Sequence, residues 1–195
     1  MTRIGETERA ELLSLARAAV RRAVTGQSGP EIPGSLTSLD ESRAAFVTLR
    51  TAAGRLRGCR GEIPAARPLP ECVCRVAAAS ALDDPRFAQV TEDELPALRI
   101  EISVLTEPVP IRAEAVEVGR HGLLISSGWA AGLLLPQVPV DQGWSREEYL
   151  EGLCMKAGLP PGAWEQEGVE LRSFEAEVWG DEDAGTAHDT AEEGE

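Results

Sequence analysis

The residues most able to do chemistry lie within a few positions of one another. Cys59 is flanked by Arg55, Arg57 and Arg60 and by Gly58 and Gly61. A cysteine reacts as its thiolate, and neighbouring guanidinium groups favour that form, so this spacing points to a nucleophilic or redox-active thiol. On a strand, Arg55 and Arg57 share the face of Cys59 and are expected to lower its pKa and hold an anionic substrate. Gly58 and Gly61 permit close approach to the backbone and offer amide N–H groups to an oxyanion. The same residues also describe a small buried cysteine in a tight hairpin, because free cysteine is commonly buried and inert.

Further candidates are spread along the chain. Glu101 lies on the polar face of an alternating segment, placed to accept a proton or to pair with Arg57. Gln137 and Trp144 suggest a polar rim with an aromatic wall; Trp144 equally suits a packing role before the next helix. His121 sits in a glycine-flanked turn without an obvious partner, and Arg86 follows a helix stop where carbonyls await donors. Cys72, Cys74 and Cys154 fit helix faces or core. No Cys-x-x-Cys or His-x-x-x-His spacing occurs, so neither a metal nor a cofactor is expected.

These residues need elements to position them. Leu12, Leu13, Ala16, Ala19, Val20, Ala23 and Val24 predict a helix over 7–24. Residues 45–50 and 55–60, joined across Ala52-Ala53-Gly54, predict a β-hairpin carrying Cys59. A helix is expected over 71–82, after Pro64, Pro68 and Pro70, ending at Asp83-Asp84-Pro85. Thr91 with Glu94 and Ser145 with Glu148 read as capping boxes. Leu98, Ile100, Ile102 and Val104 alternate as a strand. Further β segments are expected over 115–118, 123–126 and 132–135, a helix from Ser145 to Gly158, and a closing strand over 169–179. The order predicts an α+β protein, mainly antiparallel sheet flanked by helices, with a larger and a smaller lobe divided near Pro108–Pro110.

Charge sets further bounds. The 195 residues carry 19 basic and 33 acidic side chains, a net charge of −14. Seven of the acids fall between Gly180 and Glu195, leaving −7 on residues 1–179. Residues 180–195 are therefore expected to be a disordered acidic tail beyond a 1–179 domain. Residues 43–75 carry the opposite bias, seven Arg against Glu62 and Glu71. The overall acidity argues against general nucleic-acid binding, though a small anionic ligand suits the local Arg cluster. No apolar run is long enough to span a membrane, and the N-terminus lacks a signal-peptide core, so a cytoplasmic location is expected.

Leu56-Arg57-Gly58-Cys59-Arg60-Gly61 resembles the Leu-Arg-Gly-Cys-Ile-Gly signature of the AMMECR family. Phe46-Val47-Thr48, Asp84-Pro85-Arg86-Phe87, Glu94-Leu95-Pro96, Ile102-Ser103-Val104-Leu105-Thr106, Val118-Gly119-Arg120-His121-Gly122, Leu135-Pro136-Gln137-Val138 and Gln142-Gly143-Trp144 agree with it in order and spacing. The resemblance implies an α+β protein of two unequal lobes. Bacterial members are called AmmeMemoRadiSam system protein A, which implies a Memo-like protein and a radical-SAM protein as partners. The family has no firmly assigned reaction, so two readings stay open: an enzyme using Cys59 on a small anionic or nucleotide-like substrate, or a non-catalytic partner protein in which the motif is a structural turn. Arg60 stands where the family has Ile, on the face read as shared by Leu56 and Gly58, so the strand must end, bulge or supply an acid there.

Overall fold

Leu12, Leu15, Ala16, Ala19 and Val20 recur at three- and four-residue steps, and they are the residues that α1 (Glu6–Val24) buries. The computed structural model describes residues 3–181. It separates into two units, one holding the chain up to Val104 together with the segment from Glu177, the other Leu105–Ala176.

In the first unit β1 (Ala45–Arg50) and β2 (Leu56–Glu62) form the expected hairpin. The turn closes through Gly54 N–H to the Thr51 carbonyl at 2.8 Å, with Gly54 at φ +76°. Next comes α2 (Leu69–Leu82), starting two residues earlier than the sequence suggests. Pro70, a breaker by sequence, falls in the first turn, which tolerates proline because its amide needs no partner there. A 3-10 turn at Glu92–Ala97 then leads into β3 (Arg99–Leu105).

The second unit contains β4 (Val109–Pro110), β5 (Gly122–Ser127), β6 (Ala130–Leu134), α3 (Gln137–Gln142), α4 (Arg146–Ala157) and β7 (Glu170–Phe174). The chain returns to the first unit through β8 (Ala176–Gly180). The first sheet has the order β2-β1-β3-β8, the second β4-β7-β5-β6. The class is α+β, with antiparallel pairing of β1 to β2 and β3 and throughout the second sheet.

Alternation sorts the first sheet into two faces. Ala45, Val47, Leu49, Ile100, Ile102 and Val104 join one core with the apolar stripes of α1 and α2. Phe46, Thr48 and Arg50 of β1 lie on the reverse face with Arg99, Glu101 and Ser103 of β3. The second unit has its own core of Val116, Leu123, Ile125, Tyr149, Leu150, Leu153, Cys154 and Ala163.

Four expectations need correction. Residues 115–118 form no strand, because Ala115 and Val116 bond locally to the carbonyls of Arg112 and Ala113 instead of to a neighbour. The single closing strand is two, β7 and β8, which serve different sheets. The division lies at Leu105 and again near Ala176, since Val109 and Pro110 pair with β7. Gly180 and Asp181, read from sequence as the start of the tail, belong to the fold: the Ile100 amide donates to the Asp181 carboxylate at 2.6 Å, and Arg17 pairs with it. The rest of the tail lies outside the described residues.

Candidate functional site

Gly58 and Gly61 have separate structural reasons. A Cβ on Gly58 would stand 2.1 Å from the Ser80 carbonyl oxygen, so glycine lets α2 press against β2. A Cβ on Gly61 would meet the Phe46 ring at 2.3 Å, which places an aromatic cover over the bare backbone. Between them, the Ser80 hydroxyl accepts from Arg60 N–H at 2.8 Å and lies 2.7 Å from the carbonyls of Val47 and Val76, to either of which it can donate. A side chain of α2 thus bridges a rung of the β1–β2 ladder.

The ladder is also irregular one step away. Leu49 pairs with Gly58 but Arg50 with Leu56, leaving Arg57 as the extra residue of a β-bulge. Such a slip reverses the faces of the residues before it. Leu56 therefore lies opposite Arg50, on the face of Thr48 and Cys59, and does not share a face with Gly58 and Arg60. Of the possibilities raised by Arg60, the bulge is the one realised: β2 continues to Glu62, and Arg60 is exposed on the edge strand.

Arg57 does not face the thiol. Its Nε and Nη2 donate to the Glu94 carboxylate at 2.7 and 3.0 Å, and its Nη1 and Nη2 to the carbonyls of Ala88 and Gln89 at 2.8 and 3.2 Å. Arg55 is exposed beside the hairpin turn. The guanidinium whose charge reaches Cys59 is that of Arg86. Asp84, 5% exposed, fixes it: Oδ1 and Oδ2 accept from Arg86 Nε and Nη2 at 3.0 and 2.7 Å. The same Oδ2 accepts the Cys59 amide at 2.8 Å. This network holds the Asp84 carboxyl far below the usual carboxylate range. It also occupies the Cys59 amide, as Ser80 occupies that of Arg60.

Cys59 itself is half-buried. The Thr48 hydroxyl, directly across the β1–β2 pair, donates to its sulfur at 3.3 Å. Glu101 stands opposite Thr48 on β3, completing the row Cys59–Thr48–Glu101. Burial pushes the thiol above its ordinary value, the Thr48 hydrogen bond and the Arg86 charge pull it part of the way back, and the Asp84 and Glu101 charges raise it. The expectation of a depressed pKa is corrected on this point: desolvation outweighs the one cation that reaches the sulfur, and Arg57 is turned away. The thiol rests protonated, with a carboxylate one residue beyond its hydroxyl partner.

Gln137 and Trp144 belong to the second unit. Gln137 begins α3, and the Trp144 ring occupies the space where Gly152 of α4 would carry a Cβ, at 2.6 Å, so Trp144 packs against that unit's core. The His121 Nδ1 accepts from the Glu117 amide at 3.1 Å in a local turn. Sequence reasoning did not assign Thr48, Ser80 or Asp84 to the site. Asp84-Pro85-Arg86 carried a usable signal, an acid and a guanidinium spaced to meet across a proline.

The AMMECR1 family model matches residues 13–179. Protein MJ0810 of Methanocaldococcus jannaschii is 41% identical over 177 residues, covering 84% of this chain and 85% of its own. Protein TK0174 of Thermococcus kodakarensis is 42% identical over 182 residues, covering 88% and 89%. The crystal structure of the uncharacterized protein PH0010 from Pyrococcus horikoshii is similar with a TM-score of 0.82 at 40% identity, covering 87% of this chain and 89% of that one.

Proposed function

This chain belongs to the AMMECR1 family, and on that premise we propose that it acts on a small anionic substrate through the thiol of Cys59. The observation that carries the reading is the row of thiol, hydroxyl and carboxylate across β2, β1 and β3, bordered by the Asp84-held Arg86. A protonated thiol needs a base when its substrate arrives. Glu101 takes that role, with Thr48 as the hydroxyl through which the proton passes. The sulfur then forms a bond to an electrophilic carbon of the substrate, and the leaving group departs with its bonding electrons and takes up the proton. Arg86 offsets the negative charge that gathers near the sulfur. Cys59 is the nucleophile in this reading. Arg57, Gly58 and Gly61 shape the strand that presents it, and Arg55 remains available to an anion approaching from the hairpin turn.

The Memo-like and radical-SAM partners implied by the family resemblance enter the proposal on that basis alone, as proteins that would supply or consume the substrate.

The test is alkylation of the folded protein across pH, with mass mapping of the label. Cys59 should be labelled slowly at neutral pH and faster as pH rises past the value of an ordinary thiol. A Cys59 that stays unlabelled at every pH while the fold is intact overturns the reading, and a labelling rate that Glu101→Gln leaves untouched removes Glu101 from it.

A further inference from the structure

Between Arg120 and Asp141 the chain runs for twenty residues without an acidic side chain, a lysine or an arginine, in a sequence that is 27% charged. That stretch builds the β5–β6 hairpin and leads into α3. Trp129 stands at the hairpin tip with its side chain fully exposed. β6 is the last strand of its sheet, so one side of its backbone has no neighbouring strand. Among the described residues, no backbone group of 130–134 bonds to backbone outside the hairpin. Edge strands ordinarily carry a charge, a proline or a bulge that keeps other strands away. The other three edges comply. β4 is two residues long and ends in Pro110, β2 has its bulge and the exposed Arg60, and β8 carries Glu177. Ala130-Ala131-Gly132-Leu133-Leu134 has none of these devices, and its register with β5 is unbroken.

The strand itself indicates what fits this edge. An aromatic lies at one end and Leu133-Leu134-Leu135, half-buried, at the other. A second β6 laid antiparallel to the first brings each Trp129 beside the leucines of the other copy, twice, about a two-fold axis. The small residues Ala131 and Gly132 at the centre let the two backbones approach. A net charge of −14 sets copies of this protein against one another at long range, but salt screens that repulsion beyond about 8 Å, and the strand brings no charge of its own into the contact. We infer that β6 is a self-association edge, pairing antiparallel with β6 of a second copy and joining two four-stranded sheets into one, with Trp129 as its anchor. A stable contact buries roughly 1,200 Å² or more, and two indoles at up to about 250 Å² each supply a large share of it. The inference stands apart from the thiol reading and draws on none of its residues.

Sedimentation velocity of the full chain over a concentration series tests this. Monomer should give way to dimer as concentration rises, and more readily in high salt than in low. Ala131→Lys puts a charge on the edge, and Trp129→Ser removes the anchor. Each substitution enters the contact twice and should weaken the dimer about tenfold or more. Both residues are exposed, so the fold is kept, which circular dichroism checks. Val109→Lys, on the opposite edge of the same sheet, should leave the dimer as it is. A chain that stays monomeric at every concentration overturns the pairing. A dimer that Trp129→Ser and Ala131→Lys both leave intact does the same, as does one that Val109→Lys abolishes. Uptake of a monomer by phosphatidylcholine vesicles, lost in Trp129→Ser, gives the edge to a lipid surface and also overturns it. Labelling of Cys59 enters none of these outcomes, so the two readings stand or fall separately.

Discussion

Replacing Arg86 with Gln should shift the alkylation profile of Cys59 to still higher pH, and replacing Arg57 with Gln should leave it in place. The charge of Arg86 pulls the thiol pKa down, whereas Arg57 spends its guanidinium on Glu94 and two carbonyls. Thr48→Val should act in the same direction as Arg86→Gln, since it removes the hydrogen bond that lowers the thiol pKa most. Labelling rates at Cys59 across pH check all three. The Arg57–Glu94 pair predicts an acid dependence of stability. Bonding to Arg57, chiefly, holds Glu94 down at about 2, below its ordinary value of about 4.3. The pair's contribution is therefore complete above that ordinary value and is lost as pH falls toward 2. Because Glu94 is partly exposed, Glu94→Gln should cost only about 1 kcal/mol at neutral pH. It should also flatten the decline of melting temperature over that acid window.

Among the elements, β2 tests how tightly α2 is pressed against it. Gly58→Ala meets a backbone carbonyl of α2 and should cost about 3 kcal/mol, because helix and strand must part. Gly61→Ala meets a phenyl ring that can rotate aside, and about 1 kcal/mol is expected. Ser80→Ala strips the hydroxyl from a rung where an amide and a carbonyl depend on it, with a loss of about 2 kcal/mol. Urea melts of the three variants give the order. What the sequence made legible here was local. The hairpin, α1, α4 and the Ser145–Glu148 box follow from periodicity and from bonds between residues three or four apart. The motif drew attention to Cys59 for the same reason, its neighbours in sequence. The bulge at Arg57, the reach of Asp84 to the Cys59 amide and the opposition of Arg50 to Arg99 depend on residues 25 or more apart, or on a one-residue slip of register. No pattern within a single segment encodes such meetings. Trp144 shows the converse: an aromatic beside glutamines reads as a binding wall or as packing, and the contact with the bare Cα of Gly152 that supports packing is not written in its own segment.

For the molecule as a whole, the first sheet is completed by residues from the far end of the described chain. Trp179 is buried in the core built by α1, α2, β1 and β3, and its indole N–H donates to the Arg9 carbonyl at 3.1 Å. Beside it, Arg9 pairs with Glu177 at 2.6 Å. Asp181→Ala should lower stability by about 1–2 kcal/mol, by removing the Arg17 partner and the acceptor of the Ile100 amide, and thermal melting will measure it. Asp181→Asn, which keeps an acceptor for that amide, should recover part of the loss. The passage of the chain from β7 to β8 also bears on its synthesis. A ribosome will have released all of the second sheet's strands before it delivers the last strand of the first, so a nascent chain must keep the edge of β3 and the seat of Trp179 waiting through seventy-odd intervening residues.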